Sequence, residues 1–84
     1  MNIKRDVLRC SDLGKSAYLI TKGMRLIEAE QFENKVYFAF ENYDRCKSHL
    51  SAIEQNEPVG IFDFLTAFAQ VKTALRKARE VHNG

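Results

Sequence analysis

Four side chains carry groups that bind zinc or attack as nucleophiles: Cys10, Cys46, His49 and His82. Cys46 and His49 form a Cys-x-x-His pair. Zinc, however, takes four Cys/His ligands in tight paired spacings, and only one close pair exists here. Cys46 also falls on the apolar stripe of a predicted helix, so it reads as a buried thiol beside an exposed imidazole. A reactive thiolate needs an accessible, electropositive setting. Cys10, next to Arg9 and ahead of a predicted helix start, comes nearest, but no orienting residue or oxyanion hole can be named for it. Gly14-Lys15-Ser16 resembles the end of a phosphate loop, but the upstream Gly and the preceding strand are missing. The expectation is therefore a protein that is not an enzyme, with no catalytic residue, metal, cofactor or small-molecule substrate.

Two other groupings point to binding. Lys35-Val36-Tyr37-Phe38-Ala39-Phe40 has the basic-then-aromatic texture of an RNA-recognition strand, in which outward aromatics stack on bases. The Gly expected after the basic residue is absent, and only Tyr37 should face outward. On the last predicted helix Lys72, Arg76 and Arg79 fall within about 60° of one another at ~100° per residue. Such a stripe can neutralise phosphates, and Lys4, Arg5 and Arg9 are further cations that the fold can join to it. It can equally be a solvated flank that complements the helix C-terminal dipole. An accessory nucleic-acid-binding protein using Tyr37, Lys72, Arg76 and Arg79 is the alternative expectation.

The leading expectation is a small interaction module that self-associates or binds a protein partner. Phe occurs six times in 84 residues, and a small Phe-rich chain either packs a dense core or completes it against a partner. Phe32 falls in a predicted turn, where a large apolar side chain is hard to bury. Phe62 lies at the edge of the apolar face of the last helix. These two residues are the candidate protein interface.

The elements that position these groups follow from periodicity and caps. Residues 1–10 read as a short strand or an extended arm. Ser11 is the expected N-cap of a first helix, with Asp12 in its first turn and Leu13, Ala17 and Ile20 on one face. Gly23 ends that helix in the left-handed region. Met24 to Glu30 and Lys35 to Glu41 form a hairpin around a four-residue turn, Gln31 to Asn34, with Asn34 taking any positive φ. In the second arm Val36, Phe38 and Phe40 alternate onto the core face, while Tyr37, Ala39 and Glu41 point away. Asn42 caps a second helix with a Tyr43, Cys46, Leu50, Ile53 stripe, which ends before Asn56-Glu57-Pro58. The last helix, from about Gly60 to His82, presents Ile61, Phe64, Leu65, Phe68, Val71, Leu75 and Ala78 as one face. The expected fold is a single α+β domain over 1–84, of order α-β-β-α-α, with an antiparallel sheet and helices on one face.

Composition sets the outer limits. Hydrophobic residues are 45% and charged residues 29%, with a net charge of +2, which fits a globular domain and excludes a disordered one. Residues 1–23 carry a net +3, residues 24–60 a net −3 and residues 61–84 a net +2. No apolar run is long enough to span a bilayer, and no secretory leader is expected. Two cysteines allow one disulfide at most, so both are read as reduced thiols of a cytoplasmic protein.

Ser11-Asp12-Leu13, Ala17-Tyr18-Leu19-Ile20, Gly23 and Leu26, followed by Val36-Tyr37-Phe38-Ala39-Phe40-Glu41, carry a family resemblance. The chain resembles a small domain family of bacterial, phage and mobile-element proteins. Its members pair a "Ser-Asp-Leu, Ala-Tyr-Leu, Gly" helix with a "Tyr-Phe-x-Phe" strand. The resemblance covers roughly residues 9–41 and loosely extends through Pro58 and the following helix. It implies a phage or mobile-element setting and brings no activity or catalytic residue with it.

Overall fold

The alternating strand Lys35–Glu41 is the centre of the molecule. In the computed structural model, which describes residues 6–56 and 58–83 with side chains through Glu80, it is the middle strand of a three-stranded antiparallel sheet. The elements are β1 (Val7–Cys10), α1 (Leu13–Thr21), β2 (Leu26–Phe32), β3 (Lys35–Glu41), α2 (Tyr43–Ile53) and α3 (Ile61–Asn83), with sheet order β1-β3-β2. This is the expected α+β order with the N-terminal strand present. Lys4 and Arg5 lie outside the described residues, as does the side chain of His82.

Period-2 alternation gives the sheet two different faces. Leu8, Cys10, Val36, Phe38 and Phe40 are buried on one face, with Met24, Leu19, Cys46, Ala67 and Val71 completing the core. Arg9, Lys35, Glu41, Glu28, Glu30 and Phe32 are exposed on the other. Ala39 points to this open face yet is buried. Its register partners Arg9 and Glu28 explain this, because two long side chains flank one methyl group. A bulge between Leu26 and Glu28 leaves Ile27 without a register partner.

Local chemistry departs from the sequence expectation in three places. The N-cap of α1 is Asp12, not Ser11: its carboxylate accepts from the Lys15 N–H at 2.8 Å, and its backbone is extended. β1 runs to Cys10, so Ser11 lies one residue short of the helix start, and an anionic cap also suits the dipole. The hairpin turn is the two residues Glu33 and Asn34, because Phe32 already pairs with Lys35. The positive φ of 57° falls on Glu33, and Phe32 is a strand residue of the open face. β2 begins only at Leu26, since Met24 closes α1. Its N–H donates to Leu19 O and the Gly23 N–H donates to Ile20 O, both at 3.0 Å, with Gly23 at φ 87°. That pair of bonds is a Schellman motif, and its two apolar members, Leu19 and Met24, both lie in the core.

The other cap expectation agrees with the structure. Asn42 caps α2 by accepting from the Arg45 N–H at 3.3 Å, and it turns the chain out of β3 with φ 72°. Its own N–H donates to Asp6 O at 2.8 Å, which ties the start of β1 to this corner.

Candidate protein-interaction surface

α3 begins just after Gly60, whose carbonyl accepts from the Phe64 N–H at 2.9 Å, with Asp63 in the first turn where the dipole favours an anion. Its buried face centres on Val71, which is fully enclosed, with Ala67 and Ala78 one and two turns away. Small residues there allow α1 to approach closely, and Ser16 and Ala17 of α1 are completely buried. Phe64, Phe68, Ala74 and Leu75 border the same core.

The phase of that face corrects the sequence reading of α3. Ile61 and Leu65, expected in the core, are 66% and 54% exposed, and Phe62 is 80% exposed. At ~100° per residue they lie about 80°, 120° and 180° from Val71, whereas Phe64 and Phe68 lie within about 60°. Counting every large apolar residue as core overestimated the stripe, because the close approach of α1 selects alanines instead. Three large apolar side chains are thus left on the first two turns of α3.

Phe64, in the same turns, borders a hollow of about 460 Å³ between α1, the end of α2 and α3, with Asp12, Lys15, Tyr18, Ile53 and Val59. Phe64 stacks on Phe68 at 5.9 Å between ring centroids, and Lys72 Nζ sits 5.8 Å above the Phe68 ring. Apolar surface therefore grades into basic surface along one flank of α3. Arg76 and Arg79 continue that flank and are exposed. Arg79 borders a second hollow of about 360 Å³ with Asp12, Leu13, Asn34, Lys35 and Leu75.

This geometry separates some of the residues singled out from sequence. Lys72, Arg76 and Arg79 share one flank, as the spacing required. Tyr37 is half-buried on the open sheet face, paired with Glu30, so it lies across the sheet from that flank. Phe32 lies on the open face next to the hairpin turn, while Phe62 lies in the first turn of α3. The two do not form one surface. Ile61 and Leu65 are the interface candidates that sequence reasoning missed. Their angular offset from the alanines was the available signal.

The groups with catalytic potential are poorly placed for it. Burial, then the nearby Asp6 carboxylate, push the Cys46 thiol above its ordinary value, and its S–H donates to Glu41 O at 3.4 Å. Cys10 is buried with its S–H directed at Asp12 O, 3.6 Å away. His49 is half-buried rather than exposed. β1 does precede Gly14-Lys15-Ser16, but the connection Ser11-Asp12 holds no glycine. Among the described residues no cluster of three or more His, Cys, Asp or Glu could hold a metal, and no helix is long and apolar enough to cross a membrane.

Comparison with known proteins gives a family and no further relative. No curated protein and no solved structure matches the chain. One family model, described as a domain of unknown function, DUF5659, matches residues 7–77, from the first strand to the last turns of α3. A match over that span shows that the chain belongs to the DUF5659 family.

Proposed function

We propose that this protein is a small, non-enzymatic interaction module that docks a protein partner on the first turns of α3. The observation that carries this reading is the exposure of Ile61, Phe62 and Leu65 beside an open apolar hollow. Scattered surface apolar residues are ordinary; a contiguous group beside a concave, largely apolar hollow is the pattern of a docking surface. The cytoplasmic location read from the two cysteines and the phage or mobile-element setting implied by the family resemblance belong to this proposal. In extracts of the source cells the chain should migrate in a species larger than its 9.7 kDa. Phe62→Ser/Leu65→Ser should return it to monomer mass with its helical content intact. A parent chain that migrates only as a monomer contradicts the proposal.

The second reading is nucleic-acid binding, favoured by three exposed cations in succession on α3. It would use Lys72, Arg76 and Arg79 without Tyr37. It requires binding to DNA or RNA that weakens steeply with salt.

A further inference from the structure

We infer that the exposed flank of α3 from Ile61 to Arg79 takes an amphipathic helix of a partner protein whose first turns are acidic. The inference rests on the docking reading above and names the chemistry of the partner. The flank runs through Ile61 and Leu65, then Phe68 and Lys72, then Arg76 and Arg79. From Ile61 to Arg79 it runs about 27 Å at ~1.5 Å per residue, enough for four to five turns of a docked helix. α1 meets α3 at two hollows: Tyr18 and Lys15 share one with Phe64, Leu13 shares the other with Leu75 and Arg79, and Asp12 borders both.

Charge decides the occupant. Lys15, Lys72, Arg76 and Arg79 are exposed, and none is in an ion pair with another described residue; Lys72 rests on the Phe68 ring. Among the described residues, the acids that share a hollow or a helix turn with them are Asp12, already held at the α1 N-cap, and Glu80, one turn beyond Arg76. A partner that covers this surface must therefore bring anions to the C-terminal half of the α3 flank and apolar side chains to the N-terminal half of that flank. A second copy of α3 does not. An antiparallel pair overlapped along the flank sets Arg79 and Arg76 against Ile61 and Leu65, and a parallel pair sets cation against cation. Nucleic acid would meet the cations but would leave Ile61 and Leu65 facing phosphates. An amphipathic helix laid along the flank satisfies both halves. Asp and Glu are favoured in the first turn of a helix, so the acidic end is its N-terminus and the helix runs antiparallel to α3.

The test uses three fluorescein-labelled synthetic helical peptides of about 16 residues, roughly 24 Å long. All share Leu at i, i+3 and i+7. One has Glu in the first turn, one has Gln there, and one has the Glu residues in the last turn. The acid-first peptide should bind the full chain about tenfold more tightly than the Gln peptide, from three partly exposed charge pairs. High salt should erase the difference. So should Lys72→Gln/Arg76→Gln/Arg79→Gln. Equal affinity of the acid-first and Gln peptides overturns the acidic assignment and leaves the docking reading standing, provided Phe62→Ser/Leu65→Ser still abolishes binding. Equal affinity of the acid-first and acid-last peptides overturns the orientation. Binding of duplex DNA or RNA through the three cations, with no preference for acidic peptides, overturns the inference in favour of a nucleic acid. No binding by any peptide counts against both the inference and the docking reading.

Discussion

The rotation of α3 about its own axis decides which of its side chains are core and which are free to dock, and two substitutions test it. Val71 is fully buried, so Val71→Ala removes about two methyl groups from the core. At ~0.8 kcal/mol per buried carbon the transfer term is about 1.6 kcal/mol, and the remaining cavity raises the cost to about 2–3 kcal/mol. A chain of 84 residues is expected to have a total stability of about 4–13 kcal/mol, so this is a substantial fraction. Phe62, 80% exposed, has only the remaining fifth of its surface to lose. That is about 0.5 kcal/mol, and the better helix propensity of Ala offsets most of it. Urea unfolding followed by circular dichroism reads both. With a slope of about 1 kcal/mol per molar urea, Val71→Ala should lower the midpoint by about 2 M, and Phe62→Ala should leave it within about 0.5 M. A Phe62→Ala or Leu65→Ala variant that costs as much as Val71→Ala would mean the helix is rotated differently, and the docking surface would disappear with it.

Three further outcomes follow from the local chemistry. Asp12→Ala should cost about 1 kcal/mol in urea unfolding, whereas Ser11→Ala should stay within about 0.5 kcal/mol; the reverse order would restore Ser11 as the cap. Glu33→Gly should stabilise the chain by up to about 1 kcal/mol, because Glu33 holds a positive φ that glycine adopts freely, and a loss of stability would contradict that backbone. The Cys46 thiol has its pKa raised by burial above the ordinary 9.0, so the folded state holds that proton more tightly than the unfolded one. Its contribution to stability is complete below about pH 9 and lost as pH rises through the higher folded value; a Cys46→Ala variant should lack this alkaline loss, and an identical pH profile would refute it.

Most of the architecture was legible because it depends on short-range patterns. The alternation of Val36, Phe38 and Phe40 reveals β3 and its core face, and Gly23 and Asn42 mark a helix end and a helix start. The reading failed where tertiary packing selects among local options. Ser11 and Asp12 are both good caps, and only the end of β1 at Cys10 chooses between them. Gln31 to Asn34 allows a two- or a four-residue turn, and the pairing of Phe32 with Lys35 selects the shorter. Ile61 and Leu65 suit a core helix as well as Ala67 and Ala78 do, until α1 requires small residues in the contact. That same choice creates the candidate site, so only part of it could be read beforehand. The basic stripe was visible from spacing alone. The apolar half was visible only as Phe62.

The central claim is that the first turns of α3 touch another protein, and site-specific photo-crosslinking in the source cells tests it most directly. A benzophenone side chain in place of Phe62 should give one discrete adduct of defined mass. The same probe in place of Lys47, an exposed α2 residue away from the hollow beside α3, should give none. Equal adducts at both positions, or none at Phe62, would contradict the account.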